Sequence, residues 1–392
     1  MKYFVYCLML CLVLVSCREE EGHGPLTPGI KPPAITQHAV QNYPGVVEIS
    51  YQIPDSINTM YVLAEYEPAS GKIKESKASR YRNWIRLDGF QQAGKYQVKL
   101  YAVGEDEQRS EPVVVEVEPL TPPYIEAFNS LKVGPNWGGI VASYTNVAKT
   151  DLMLEIIKKN AKGEWEVVAR NVSNLENVVF TDRGHPSINT MFGFYLRDRW
   201  LNYSDTLFAS ITPYFEEMLD MKNKYVLTCL PTDQCVAHQT GAARHMGMLF
   251  DGSFTQQTSW YTPPGSGVPV HFTLFLGGDT YQLSRLKLWQ RTGTSYSYQA
   301  ANPRYFEVYG SMDPNPNGSW DSWTLMGTFE NIKPSEGTAI TPLDLEVSEA
   351  GENYEFGLDA PPVKFIRIKV LQTWGMTNFI YIMEMEIYGS KL

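Results

Sequence analysis

Polar and apolar residues alternate along most of the chain. From Lys95 to Leu100 the character changes at every step, which puts Tyr96, Val98 and Leu100 on one face of a strand, toward a core. Val46–Tyr51, Met60–Glu65 and Val113–Val117 read as further strands. The last third carries six more: Val270–Leu276, Leu283–Trp289, Tyr305–Tyr309, Thr324–Phe329, Lys364–Val370 and Ile380–Tyr388. Their even spacing, their Gly and Pro turns and the lack of a helix-length periodic run predict a double-sheet jelly roll. One short segment breaks the pattern. Tyr214 with Met218, and Phe215 with Leu219, lie at i, i+4 spacing, which predicts a short helical linker over 215–224.

Prolines mark the boundaries. Pro119-Leu120-Thr121-Pro122-Pro123 cannot sit inside a central strand, so a first β-sandwich spans 34–120 and a second 121–214. The second unit repeats the first. Tyr101 precedes Ser110, and Tyr195 precedes Ser204, by the same interval; each Ser is followed by an acid (Glu111, Asp205), a strand and Thr-Pro. The expected fold is therefore all-β: two tandem sandwiches of immunoglobulin or fibronectin III type, then a jelly roll over 225–392. Asp198-Arg199-Trp200, in a turn of the second sandwich, reads as a structural hairpin.

The N-terminus sets the expected compartment. Lys2 precedes an apolar run from Tyr3 to Val15, too short to span a bilayer and suited to a signal peptide over 1–17. Leu14-Val15-Ser16-Cys17 resembles a bacterial lipoprotein cleavage box, which would make Cys17 the lipidated first residue of the mature protein. Arg18-Glu19-Glu20-Glu21 resembles the surface-export signal of Bacteroidetes lipoproteins, and the Gly- and Pro-rich stretch 18–33 reads as a tether. Together they imply an outer-membrane lipid anchor facing the exterior. Cys229 and Cys235 then remain, to close a small disulfide loop or to stay as buried thiols; a zinc site lacks a third and fourth ligand at the needed spacing.

Charge narrows the partners. A formal net charge of −10 without a basic cluster argues against nucleic acid. An aromatic share of 13% suits pleated strands and surfaces that stack on sugars or proteins.

Spaced landmarks in the last third are Asp251-Gly252, Trp260, Phe306-Glu307-Val308-Tyr309-Gly310-Ser311, Trp323, Lys364-Phe365-Ile366-Arg367-Ile368 and Glu384-Met385-Glu386-Ile387-Tyr388-Gly389. They resemble the discoidin family, which includes the coagulation-factor C-type domains and the galactose-binding-like family 32 carbohydrate-binding modules. The whole order, with Trp320-Asp321-Ser322-Trp323 and Ile332-Lys333-Pro334-Ser335, resembles Bacteroidetes outer-surface lipoproteins associated with polysaccharide-utilisation systems. The resemblance implies a structural Ca2+ held by Asp251, Ser253, Thr258 and Glu384, a set of oxygens that suits a hard cation. It also implies a sugar site at Arg291 and Asn302. The usual His between the Asp-Gly turn and the Trp is replaced by Gln256 and Gln257, which puts galactose-type specificity in question.

Sugar binding requires an aromatic face and planar hydrogen-bonding groups. Tyr296, Tyr298, Trp320 and Trp374, on expected loops, join Arg291 and Asn302 as candidates, while Trp260, Trp289 and Trp323 read as core. Asp313 to Gly318 matches the start of an EF-hand loop, but Thr324 stands where a bidentate Glu is needed, so a hairpin turn is expected. No catalytic pair of carboxylates, nucleophile elbow or phosphate loop is recognisable. The sequence thus points to a non-catalytic, lipid-anchored surface protein that binds polysaccharide or oligosaccharide and docks on an outer-membrane glycan importer complex. A protein-binding adhesin or assembly scaffold is the alternative.

Overall fold

The computed structural model describes residues 31–53, 59–224, 226–238, 245–255 and 259–392. The signal peptide with Cys17, most of the tether, and Gln256, Gln257 and Thr258 lie outside the described residues. The fold is all-β, two sandwich modules followed by a jelly roll.

The first module contains β1 (Thr36–Tyr43), β2 (Val46–Gln52), β3 (Tyr61–Ala69), β4 (Lys72–Ser79), β5 (Trp84–Asp88), β6 (Tyr96–Val103) and β7 (Val113–Val117). They form sheets of order β1-β2-β5 and β4-β3-β6-β7. Val47, Ile49, Val62, Ile85, Leu87, Val98 and Leu100 are buried in one cluster, with Tyr96 packed against it. Alternation in β6 has therefore done what strand geometry requires, sending every second residue inward.

The next strands are β8 (Lys132–Asn136), β9 (Gly139–Thr145), β10 (Leu152–Lys159), β11 (Trp165–Ser173), β12 (Asn177–Arg183), β13 (Thr190–Arg197) and β14 (Leu207–Ile211). Their orders, β12-β9-β8 and β11-β10-β13-β14, repeat the topology of the first module. The repeated serines have the same task. Ser110 Oγ accepts from the Ala102 N–H and donates to the Glu111 carbonyl; Ser204 Oγ accepts from the Leu196 N–H and donates to the Asp205 carbonyl. A hydroxyl able to donate and accept at once closes the strand crossing in each copy.

Departures from the sequence reading concern helices. The residues after Pro122 form a helix, Pro123–Asn129, with proline in its first turn. The expected helical linker is corrected: Glu217–Met218 forms a strand, β15, and only Met221–Lys224 makes a helical turn. The i, i+4 spacing is overridden because β15 pairs with the last strand and Leu219 and Met221 enter the jelly-roll core.

The remaining strands are β16 (Trp260–Tyr261), β17 (Val270–Phe275), β18 (Tyr281–Trp289), β19 (Pro303–Ser311), β20 (Thr324–Glu330), β21 (Glu352–Glu355), β22 (Phe365–Thr373), β23 (Tyr381–Ile382) and β24 (Glu384–Lys391). Two four-stranded antiparallel sheets, β15-β24-β18-β21 and β17-β22-β19-β20, enclose the core, and β16 pairs with β23. Trp260 is fully buried, edge-on to Phe272 at 4.6 Å between centroids. Pro342–Ala350 is a helix opened by a capping box between Thr341 and Asp344.

Contacts divide the chain into two compact units. One runs to Lys132 and takes in Ser143–Val179 and Phe192–Phe208; the other comprises Val133–Ala142, Phe180–Met191 and Ala209–Leu392.

Candidate functional site

The loop between β18 and β19 is built around Asn302, which is fully buried. Its Oδ1 accepts the Arg291 N–H at 2.8 Å, and its Nδ2 lies within 3.0 Å of Gln290 Oε1, the Arg291 carbonyl and the Tyr296 carbonyl. Every polar atom of the amide is therefore spent inside the protein. Asn302 shapes the loop and does not face a ligand, which corrects the sugar-binding role assigned to it.

Tyr298 is corrected in the same way. It is 3% exposed, sits at φ +53°, and donates its hydroxyl to half-buried Glu352 Oε1 at 2.9 Å. Burial, with the Glu352 charge beside it, pushes the Tyr298 hydroxyl far above the ordinary phenol range, and burial raises the Glu352 carboxyl.

The same loop brings Arg291 and Tyr296 together at the rim. Both are half-buried, and the guanidinium lies 3.6 Å from the centre of the Tyr296 ring. The rings of Tyr261 and Tyr381 stack on each other at 5.0 Å, and each lies 5.5 Å from that guanidinium. Register supplies this neighbour pair, since β16 sets Tyr261 opposite Tyr381 of β23. Burial moves the Tyr381 hydroxyl up to about 12, with the Arg291 charge opposing. Tyr261 was not among the sequence candidates, and only the pairing of distant strands puts it here.

Trp374 stands on the far side of Asn302, whose carbonyl accepts its backbone N–H. It is half-buried, donates its indole N–H to Asn331 Oδ1 at 2.7 Å, and carries the Arg304 guanidinium 4.5 Å from its ring centre. Trp320 belongs elsewhere. It lies beside His271 and Tyr309 and over Arg367, on the outer face of the β17-β22-β19-β20 sheet. Arg367 is fully buried between Trp320 and Trp323 and faces Asp233 at 3.3 Å, so Trp320 roofs a buried ion pair and is removed from the rim. Cys229 and Cys235 form a disulfide on the segment that delivers Asp233.

The Asp-Gly turn presents a second group of oxygens. Ser253 N–H donates to Asp251 Oδ1 at 2.7 Å, and Gly252 N–H, at φ +75°, donates to Glu384 Oε1 at 3.3 Å. Glu384 is 4% exposed, and its other carboxylate oxygen is buried without a hydrogen-bond donor. Burial, with Asp251 adjacent, pushes its carboxyl up to about 8. Two converging carboxylates with an orphaned oxygen fit a hard cation. Among the described residues no group of three or more His, Cys, Asp or Glu converges, so backbone carbonyls would complete such a set.

Comparisons with known proteins follow this division of the chain. Models of domains of unknown function match residues 32–119 (DUF4959), 120–222 (DUF5126) and 250–389 (DUF5000). A solved SusE-like protein is 30% identical, and the match covers 69% of this chain and all of that one. The chain belongs to the SusE-like family. Identity over the whole of the relative carries this kinship; the TM-score of 0.43 adds nothing to it. The SusE-like chain is also similar to the C-terminal domain of a Bacteroides fragilis chitobiase (16% identity, 45% of this chain and 99% of that one, TM-score 0.30). A GalNAc-bound family 32 carbohydrate-binding module is 18% identical over 42% of this chain and 99% of its own (TM-score 0.30). No curated protein matches.

Proposed function

We infer that this chain is a non-catalytic, surface-displayed glycan-binding protein of a polysaccharide-utilisation system, and that its jelly roll holds the sugar. The observation that carries the reading is the rim cluster of Arg291, Tyr296 and Tyr261: a planar donor fixed against aromatic rings on a loop pinned from beneath by Asn302. Guanidinium groups bind vicinal hydroxyls, and half-buried Tyr rings offer a face to pyranose C–H groups. Trp374, half-buried with Arg304 across it, is a further candidate ring beside Asn302. Lipidation at Cys17 would tether the chain to the outer membrane, and the two sandwiches would serve as spacers and as docking surfaces for an importer complex. Among the described residues no helix is long and apolar enough to cross a membrane. Affinity per site is expected to be modest, since few sugar rings bury little area, and many anchored copies would act together.

Asp251, Ser253 and Glu384 are the described positions proposed to hold a structural Ca2+, which would neutralise the buried carboxylate pair and fix the turn against the last strand.

The test is affinity electrophoresis of the full chain through gels containing a panel of polysaccharides. Retardation by one glycan class, lost in Arg291→Ala and Tyr296→Ala and weakened in Trp374→Ala, supports the reading. Retardation unchanged in all three, or capture of a protein partner with no glycan retarding the chain, turns it toward the adhesin alternative.

A further inference from the structure

A cavity of about 320 Å³ is lined entirely by residues of the first compact unit. Its floor is apolar: Val46, Phe90, Pro122 and Leu152, all buried. Pockets for small ligands run from roughly 300 to 1,000 Å³, so this one suits one or two sugar rings and is too small for a protein segment of any length.

The turn at Asp198-Arg199-Trp200 forms one wall, and it is rigid. Asp198 accepts the N–H groups of Trp200 (2.8 Å) and Asn202 (3.0 Å) and the Asn202 side-chain amide (2.9 Å); that amide also donates to the Gly89 carbonyl. Asp198 is thereby consumed within its own turn. The Trp200 ring is flanked by Arg199 at 4.4 Å and Lys74 at 5.3 Å, so it closes the cavity laterally and is not a free stacking face.

The rim decides the ligand class. Arg86 pairs with Glu48 at 3.1 Å, Lys149 with Glu176 at 3.0 Å, and Arg199 lies 3.8 Å from Asp88. Each cation lies within salt-bridge distance of an acid, Asp88 being shared between Arg199 and Lys74, and with Asp151 and Asp198 in the lining the mouth carries no surplus positive charge to draw an anion. What remains available is polar and planar. Asp151 and Asn174 line the cavity, both are exposed, and neither side chain makes a hydrogen bond or ion pair among the described residues. The exposed Thr150 hydroxyl stands beside Asp151. A carboxylate, a carboxamide and a hydroxyl over an apolar floor form a donor and acceptor set for neighbouring hydroxyl groups.

We propose that this cavity is a second saccharide site, for a neutral sugar at a chain end, with Asp151 and Asn174 as its hydroxyl-binding groups. It is independent of the jelly-roll rim. The chain would then engage a polysaccharide at two places, and tethered sites gain avidity without new contacts when one polymer reaches both.

The test is saturation-transfer NMR on the full chain with maltohexaose, cellohexaose, xylohexaose and mannohexaose, and with tetragalacturonate as an acidic control. Three chains are compared: wild type, a rim variant (Arg291→Ala with Tyr296→Ala) and a cavity variant that adds Asp151→Ala and Asn174→Ala to the rim variant. The expected result is a neutral oligomer whose signal survives the rim variant and whose affinity falls about ten-fold in the cavity variant, the loss of two modest hydrogen bonds. Asn174→Trp added to the rim variant, which plugs the mouth and leaves the floor untouched, should abolish the same signal. The proposal is overturned if no neutral oligomer gives transfer in the rim variant, if the cavity variants leave transfer unchanged, or if only tetragalacturonate responds. Loss of signal in the rim variant alone would leave the jelly-roll reading standing and remove this one.

Discussion

Removing the Glu216 carboxylate should loosen the jelly roll more than any surface mutation of equal size. Glu216 Oε1 accepts Arg285 Nε at 3.1 Å and Ser284 Oγ at 2.6 Å, while Oε2 accepts Arg285 Nη2 at 3.1 Å. Both side chains are under one-tenth exposed, so this is a buried, two-pronged pair. Arg285 also donates to Asn353 and lies 3.3 Å from the centre of the Tyr388 ring. Glu216→Ala strands a guanidinium in a dry site with one polar partner left, which costs about 3–5 kcal/mol, plus roughly 1 kcal/mol for the orphaned Ser284 hydroxyl. Arg285→Met should cost a similar amount by stranding the carboxylate. Replacing both, Glu216→Leu with Arg285→Met, removes the charges together and should cost less than either single change, about 1 kcal/mol. Because a chain of several modules need not unfold in one step, the readout is hydrogen exchange of the β18 and β24 amides, whose opening free energy reports this sheet alone. A Glu216→Ala chain that opens within about 1 kcal/mol of wild type, or a double variant equal to the sum of the singles, would refute the argument.

Asn302→Ala should unpin the loop between β18 and β19, costing about 2–3 kcal/mol for the bonds lost and abolishing glycan retardation, even though residue 302 touches no ligand; protease susceptibility at 291–302 is the companion measurement. Millimolar Ca2+ should raise the melting temperature, and Glu384→Ala should erase that rise while leaving the chain folded; no shift with Ca2+ would remove the cation. His271 is held below its ordinary value by burial and by Arg367, with Asp233 opposing and Lys369 adding to the fall. The unfolded chain therefore takes up this proton first, and stability at this site should drop as pH falls below about 6.5, less steeply in His271→Asn, as urea melts at stepped pH would show. Ser110→Ala and Ser204→Ala should each cost about 1–2 kcal/mol and by similar amounts, because the two hydroxyls make the same pair of bonds.

The strands were readable because alternation is local: each residue in β6 or β18 announces its face without knowing its partner. The repeat was readable for a related reason, since one hydrogen-bonding task at the same strand crossing requires the same hydroxyl twice. Less of the site could be read. Arg291 and Tyr296 are near neighbours on one loop, and loop position alone grouped them. Tyr261 reaches them only through the β16–β23 pairing, which no local pattern records. Asn302 looked like a ligand because a polar residue beside a rim has the same composition as a polar residue under one; burial separates the two, and burial is tertiary. The missed helix at Pro342–Ala350 did leave a local sign, Thr341 three residues before Asp344 with proline between, the signature of a capping box.

The placement of β15 bears on how the jelly roll can be handled in isolation. A fragment trimmed to begin at residue 225 would discard the strand that pairs with Tyr388 and Gly389, the Leu219 and Met221 side chains that fill the core, and the carboxylate that forms an ion pair with Arg285. Such a piece would expose the flank of its last strand and invite sticking between copies. Scissors placed upstream of Tyr214 would keep the plug with the pair of sheets it closes.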